Sequence, residues 1–134
     1  MKRRTYLKSM LATATAGIVA APKAKAQAGK PRSIELHCDI AVDPKREQEM
    51  LANFEKIFRP EAKKHPGYID LKMLKLNSAI RGNAPTKYQF VLTFASEDLR
   101  QKWIATKEHA RVWPEIEKTM TNKDTFSILV YDVY

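Results

Sequence analysis

The chain has 134 residues, a formal net charge of +9 and a single cysteine, and 44% of its residues are hydrophobic. This length suits one compact domain, and a single cysteine excludes an intrachain disulfide. The sequence contains no CxxC, HExxH, GxSxG or Walker-type phosphate loop, so metalloprotease, serine hydrolase and nucleotide-binding functions lack their minimum residues.

The first part of the chain has the pattern of an export signal. Arg3 and Arg4 precede an uncharged stretch, residues 9–21, which is too short to span a membrane. The sequence "AKA" then ends at Ala26 as a small-x-small cleavage site. The arginine pair resembles the twin-arginine export signal of bacteria. We predict a signal peptide over residues 1–26, one domain over 27–134, and a periplasmic or secreted location; a basic tail without this role is the alternative.

Removal of this segment changes what the charge implies. The segment contains six of the 24 Lys and Arg residues and none of the 15 Asp and Glu residues, so 18 basic and 15 acidic residues remain. A formal charge of +3, without a basic cluster among aromatic residues, does not favour nucleic-acid binding. We expect no nucleic-acid partner and no stable membrane span after processing.

The domain begins with a strand followed by a helix. Apolar and polar residues alternate over residues 33–42, as in a half-buried strand. Asp43 and Pro44 are a typical N-cap and first helical residue. The helix is predicted to end at Pro66 and Gly67.

Two further strands follow, over residues 68–76 and 86–95, and a loop rich in Asn, Gly and Pro separates them. Tyr88, Phe90 and Phe94 share one face of the third strand. Ser96 then caps another helix.

A break is predicted after that helix begins. Thr106 can cap a second, separate helical turn, and Pro114 marks a kink or a boundary. Leu99 and Trp103 share one helical stripe, and His109 and Trp113 share another. The closing segment, residues 124–134, reads as a fourth strand.

The order βαββαβ predicts an α+β fold of the ferredoxin-like type, with a four-stranded antiparallel sheet. The last strand is apolar on both faces: Ile128 and Val130 point one way, and Leu129 and Tyr131 point the other way. One layer of helices cannot bury both faces. The sequence therefore predicts a homodimer in which a second sheet covers the first.

The chain resembles the antibiotic biosynthesis monooxygenase family of dimeric α/β barrels. The resemblance covers essentially all of residues 27–134. It rests on the element order, on "HPGYID" at the start of the second strand and on "FASEDLRQKWIATKEHARVWPEI" after the third. It implies a dimeric α/β barrel with a pocket between the sheet and its helices. Family members include cofactor-free oxygenases of quinol-like rings and haem-degrading enzymes.

Carried over by residue, the resemblance matches Trp103 to the tryptophan of the family's pocket. In the haem-degrading members a histidine that binds iron follows this tryptophan by ten residues, where this chain has Trp113. Those members place an asparagine on the first strand, approximately where this chain has Cys38. His109 lies one helical turn before the iron-binding position, which disfavours haem.

From these arguments we predict His109 and Trp103 as catalytic residues and Trp113, Tyr88, Cys38 and Phe90 as substrate-binding residues, with no metal and no cofactor. The alternative for the tryptophans and for Cys38 is a purely structural role in the core. His37, on the other face of its strand, is expected to be structural.

Three functional hypotheses follow. The first is a cofactor-independent monooxygenase that acts on a small aromatic, quinol-like or phenol-like substrate with O2. The second is a non-catalytic dimeric protein that binds a hydrophobic ligand, and the absence of a complete catalytic constellation favours it. The third is a haem-binding or haem-degrading relative.

Overall fold

The structure, a computed structural model, describes residues 32–134; the predicted export signal lies outside the described residues. Its fold is ferredoxin-like, as the sequence predicts. The elements are β1 (Ile34–Ile40), a 3₁₀ turn (Pro44–Arg46), α1 (Glu47–Asn53), a π-helical turn (Phe54–Phe58), α2 (Arg59–Lys63), β2 (Tyr68–Lys75), β3 (Tyr88–Phe94), α3 (Glu97–Ile104), α4 (Lys107–Val112), α5 (Pro114–Glu117) and β4 (Ser127–Asp132). Within the described range, no helix combines the length and the apolar character that a bilayer span requires.

The four strands form one antiparallel sheet in the order β2-β3-β1-β4. The helices cover one face, onto which the alternating buried residues of β1 and β3 point. The central position of β1 matters for function, because its side chains lie between those of β3 and β4. This face of the sheet forms the floor of the hydrophobic core.

The first helical segment starts as predicted but is not uniform. The Asp43 side chain accepts a hydrogen bond from the Lys45 amide, 2.9 Å away, and Pro44 is the first helical residue. Where the sequence predicts a regular helix, the structure has a wider π-helical turn, in which the Arg59 amide donates to the Phe54 carbonyl. Pro60 gives a physical reason, since it has no N–H and its ring crowds the preceding turn.

Gly67 ends this segment with a positive φ of 96°, a conformation that favours glycine. The turn packs tightly on α3, because a Cβ at this position would lie 2.8 Å from side-chain atoms of Leu99. The Gly67 carbonyl also accepts a hydrogen bond from the Ala95 amide at 2.7 Å. The turn therefore fixes the start of α3, the helix that carries Trp103.

Strand β4 is apolar and exposed on both faces in the single chain. Its register places Ile128 beside Cys38 on the helix-covered face and Leu129 beside His37 on the open face. The exposed fractions of its side chains are 56% for Ile128, 48% for Leu129, 43% for Val130 and 47% for Tyr131. The alternation predicted for this strand is confirmed.

Candidate active site

A cavity of about 300 Å³ lies between the sheet and the helices α3 and α4. Its walls are almost wholly apolar and aromatic, as is common for sites that bind small organic molecules. The lining residues are Leu36, Cys38, Phe58, Phe90, Leu92, Arg100, Trp103, Ile104, His109, Trp113, Phe126 and Ile128. The structure thus brings together five of the six predicted site residues, namely Cys38, Phe90, Trp103, His109 and Trp113.

The sheet supplies the floor of the cavity. Cys38 on β1 pairs in register with Phe90 on β3 and with Ile128 on β4, so three neighbouring strands present side chains in one row. Leu36 and Leu92 pair in the next row toward the other end of the strands. Alternation along each strand therefore builds a continuous apolar floor.

The helices supply the wall through a break at Thr106. The Thr106 hydroxyl accepts a hydrogen bond from the His109 amide at 3.1 Å and donates one to the Trp103 carbonyl at 2.7 Å. It therefore ends α3 and caps α4 with one side chain. As the sequence predicts, α4 changes direction here, and His109 and Trp113 face the cavity that Trp103 also lines.

The aromatic rings on the wall pack in defined orientations. The His109 imidazole lies nearly parallel to the Trp113 indole, with ring centroids 6.4 Å apart and an interplanar angle of 11°. Trp103 is 1% exposed, and its indole stands edge-on to His109 with centroids 5.2 Å apart. The imidazole thus lies between two indoles on the cavity wall.

Phe58 is the centre of this cluster, a role that the sequence analysis does not assign. Its ring centroid lies 5.3 Å from Phe90, 5.8 Å from Trp113, 6.0 Å from Trp103 and 6.4 Å from His109. All four contacts are edge-to-face, a geometry that aromatic pairs favour. Phe58 therefore holds the helical wall against the floor.

Burial of the His109 side chain lowers the pKa of its imidazole, and the positive charge of Arg100 lowers this pKa further. His109 is therefore neutral at neutral pH and can accept a proton through a ring nitrogen. Among the lining residues it is the group best suited to act as a base.

Burial changes the pKa of Cys38 in the direction opposite to that of His109. Burial raises the pKa of its thiol to about 12, and the neighbouring Asp39 carboxylate contributes to this rise. The side chain is buried, and it forms part of the floor as a protonated thiol. A small apolar wall group is the role that this environment favours.

Arg100 is a second lining residue that the sequence analysis does not identify. Its side chain is only 11% exposed and forms two hydrogen bonds with Glu97, from Nε at 2.8 Å and from Nη2 at 2.7 Å. It lies three residues before Trp103, on the same side of α3. That spacing is the sequence signal that points to it.

Tyr88, which the sequence analysis groups with the substrate-binding residues, does not line this cavity. It pairs with Ile40 and Lys75 at the far end of the sheet, and its hydroxyl donates to a Glu47 carboxylate oxygen at 2.9 Å. Burial and this hydrogen bond raise the pKa of Tyr88 to about 12. The shared strand face was predicted correctly, but the position along the strand separates Tyr88 from the site.

His37 lies on the open face of the sheet, as expected. Its ring nitrogen Nε2 is 2.7 Å from a Glu35 carboxylate oxygen, and its ring centroid is 4.8 Å from that of Tyr131.

In residues 32–134, no three His, Cys, Asp or Glu side chains converge as a metal site would require.

Comparison of the sequence with protein-family models gives no match, and comparison with curated proteins gives none either. Solved structures, in contrast, show clear similarity of fold. A dimeric ferredoxin-like protein of unknown function from Jannaschia sp. CCS1 has a TM-score of 0.65 and 13% identity, and the alignment covers 75% of this chain and 99% of that chain. A candidate antibiotic biosynthesis monooxygenase from Caulobacter crescentus CB15 has a TM-score of 0.60 and 16% identity, with 78% and 92% covered.

A third similar structure is a point mutant of SnoaB, a cofactor-independent oxygenase from Streptomyces nogalater. It has a TM-score of 0.59 and 10% identity, and the alignment covers 76% of this chain and 93% of that chain. Identities this low show the fold alone. The chain therefore shares the ferredoxin-like fold of proteins similar to antibiotic biosynthesis monooxygenases.

Proposed function

We propose that the protein is a cofactor-independent monooxygenase that oxidises a small phenol-like or quinol-like aromatic compound with O2. The observation that carries the proposal is the placement of a neutral imidazole between two indoles on the wall of an apolar cavity. The similar fold of a cofactor-independent oxygenase supports it at the level of the fold.

His109 acts first in this proposal, as the general base. Its lowered pKa keeps the imidazole unprotonated at neutral pH, so it can take the hydroxyl proton of a bound phenol. The resulting phenolate is electron-rich at its ring carbons and reacts with O2 directly.

The reaction balances without an external reductant. One oxygen atom of O2 forms a bond to a ring carbon, which loses its hydrogen, and the other leaves as water after the O–O bond breaks. The phenol is oxidised by four electrons to a quinone, and O2 is reduced by the same four electrons.

The contribution of the protein is mainly positioning in an apolar cavity. Trp103 and Trp113 on the wall orient a planar ring, and the floor around Cys38 gives it an apolar surface to lie on. Holding the reacting ring in one orientation lowers the entropic part of the barrier.

The test is O2 consumption by the purified protein with a panel of naphthols and dihydroxynaphthalenes. We expect O2 uptake and quinone formation in equal amounts, with one atom of isotopically labelled O2 in the quinone. Heat-inactivated protein and the His109→Ala variant are the controls for spontaneous oxidation. Ligand binding without O2 uptake above these controls would contradict the proposal and identify a non-catalytic binder.

Haem is tested in the same experiment by its absorbance. Among the wall residues in the range 32–134, only His109 and Cys38 carry atoms suited to ligate iron. The raised pKa of Cys38 leaves His109 as the better ligand of the two. A Soret band that shifts on addition of the protein, and that is lost in His109→Ala, would replace the monooxygenase proposal with a haem-binding function.

We also propose that the protein forms a homodimer through β4 and the open face of the sheet. Leu129 and Tyr131 on that face are about half exposed in the single chain, and a second sheet would bury them. The dimeric ferredoxin-like protein from Jannaschia sp. CCS1, with the same fold, supports this assembly.

We propose further that residues 1–26 direct export by the twin-arginine route to the periplasm or the exterior of a bacterium. The pair Arg3-Arg4, the short uncharged stretch and the small-x-small site at Ala26 support the proposal.

A further inference from the structure

Among the described residues that line the cavity, Arg100 is the one that carries a permanent charge. Its side chain as a whole is only 11% exposed, and partial burial of a charged side chain is costly unless another group interacts with it. Arg100 lies one helical turn before Trp103 and therefore reaches the same cavity from α3.

Glu97, the ion-pair partner of Arg100, is more exposed to solvent than Arg100 is. Glu97 is 41% exposed, so the negative end of this ion pair faces solvent, whereas Arg100 is a lining residue of the cavity and its charge acts on His109. Solvent screens the carboxylate more strongly than it screens the buried guanidinium. The pair therefore leaves a net positive field inside the cavity.

Arg100 also has N–H groups that its bonds to Glu97 do not use. The bonds to Glu97 use one N–H of Nε and one of Nη2. Three of the five N–H groups that an arginine carries therefore have no hydrogen-bond partner within residues 32–134. A ligand in the cavity can accept from them.

Within the part of the chain that the structure describes, no acidic residue lines the cavity to compete for these donors. The two other polar lining groups are the thiol of Cys38 and the imidazole of His109. The charge of Arg100 acts on both, because it lowers the pKa of His109 and opposes the rise in the pKa of Cys38. The charge of Arg100 therefore disfavours a cationic ligand in the cavity and favours a ligand that carries negative charge.

We infer that the cavity selects planar aromatic ligands that carry an anionic oxygen, and that this oxygen pairs with the guanidinium of Arg100. The anionic oxygen belongs either to a carboxylate substituent or to the phenolate that forms when His109 takes the hydroxyl proton. The inference rests on the proposed function, since it names the substrate class of the same cavity. Arg100 is on this view a specificity-determining residue, which fixes the ring against Trp103 and Trp113.

The test compares matched pairs of ligands by isothermal titration calorimetry. Naphthoate and its uncharged isostere naphthamide test the carboxylate; a dinitronaphthol, ionised at neutral pH, and its methyl ether test the phenolate. We expect the anion of at least one pair to bind more tightly by on the order of 10- to 100-fold, as for a charge-assisted hydrogen bond. Equal affinities within both pairs would overturn the inference.

Two variants separate charge recognition from a structural role of the ion pair. Arg100→Gln should abolish the preference for the anion, whereas Glu97→Gln, which keeps the guanidinium, should preserve or increase it. If both variants lose the preference equally, the pair is only structural and the inference fails. If Arg100→Gln does not fold, Arg100→Lys replaces it: retained preference supports the inference, and lost preference overturns it.

Binding and turnover can fail separately. An anion preference that depends on Arg100, without O2 consumption, would leave this inference standing and remove the monooxygenase proposal. Turnover of phenols without any anion preference would support the monooxygenase proposal and overturn the inference about Arg100.

Discussion

The imidazole of His109 stands at 87° to the indole of Trp103, and the two ring centroids are 5.2 Å apart. In one unbroken helix the six-residue separation would rotate the two side chains apart by roughly 240°. The break at Thr106 cancels this rotation and brings both rings to one cavity. The proposed site thus depends on a helix that stops and starts again.

Replacing Trp103 by alanine should abolish the binding of planar aromatic ligands and lower the free energy of unfolding by roughly 3–5 kcal/mol. The reason is the almost complete burial of the indole, which packs against Phe58 and His109. Denaturant unfolding and calorimetric titration with naphthoate are the measurements. Trp103→Phe is the matched control and should lose less stability; if Trp103→Ala binds naphthoate like the parent, the indole does not contact the ligand.

His109→Ala should change the free energy of unfolding at neutral pH by less than about 1 kcal/mol and should lower turnover by roughly 100-fold or more. In the parent protein turnover should fall as the pH decreases below about 6.5, the ordinary histidine value, because the base becomes protonated only below its lowered pKa. An acidic limb centred above that value would contradict the assignment.

The free energy of unfolding should also depend on pH through the protonation of His109. Since folding favours neutral His109, its contribution is fully present above the unfolded pKa of about 6.5 and is lost as the pH falls through the lower folded pKa. Denaturation of the parent and of His109→Gln between neutral and mildly acidic pH should show a steeper decline for the parent.

Thr106→Ala should cost about 1 kcal/mol through loss of the N-cap and should reduce turnover, because the cap sets the direction of α4. Thr106→Ser keeps a hydroxyl and should restore both. Equal turnover of Thr106→Ala and Thr106→Ser would show that α4 holds its direction without the cap. Ser96→Ala removes the cap of α3 and is a comparison of similar chemistry.

The dimer should be visible by light scattering at micromolar concentration, and Leu129→Glu should shift it toward monomer. Leu129 lies on the open sheet face and is 48% exposed in the single chain. Ile80→Glu is the matched control, because Ile80 is 99% exposed in the loop between β2 and β3. A monomeric parent over the whole concentration range would refute the assembly.

Export should fail when Arg3 and Arg4 are both replaced by lysine, so that the precursor accumulates in the cytoplasm of a bacterial host. Lys8→Arg lies in the same segment and should not affect export. Fractionation followed by N-terminal sequencing is the measurement, and normal release of a product that begins near Gln27 from the double variant would refute the twin-arginine assignment.

Much of this fold was predictable because short-range rules determine it. The alternation of β1, the caps at Asp43, Ser96 and Thr106 and the boundary at Pro114 each depend on residues close in sequence. Five cavity residues were also predictable, since strand alternation and the helix break place them on one side of the sheet.

The failures have a common physical origin in long-range geometry. Alternation gives the face on which Tyr88 lies but not the distance along β3 that takes it to Glu47. Arg100 was missed because a charged helical residue usually faces solvent, and only the packed structure shows how little of its side chain is exposed.

The π-helical turn gives the first helical segment its alignment with the sheet. Met50, Phe54, Phe58 and Ala62 recur at every fourth residue, and all four are at most 2% exposed. In a regular helix each step of four residues advances the row by about 40°, so the row would drift by roughly 120° over its length and leave the core. The π-helical turn between α1 and α2 holds more residues per turn than an α-helix, as if one residue were inserted there. It therefore cancels most of this rotation. Deletion of a single residue there would turn Phe58 away from Trp103 and His109, so the register of one helix determines whether the aromatic wall can assemble.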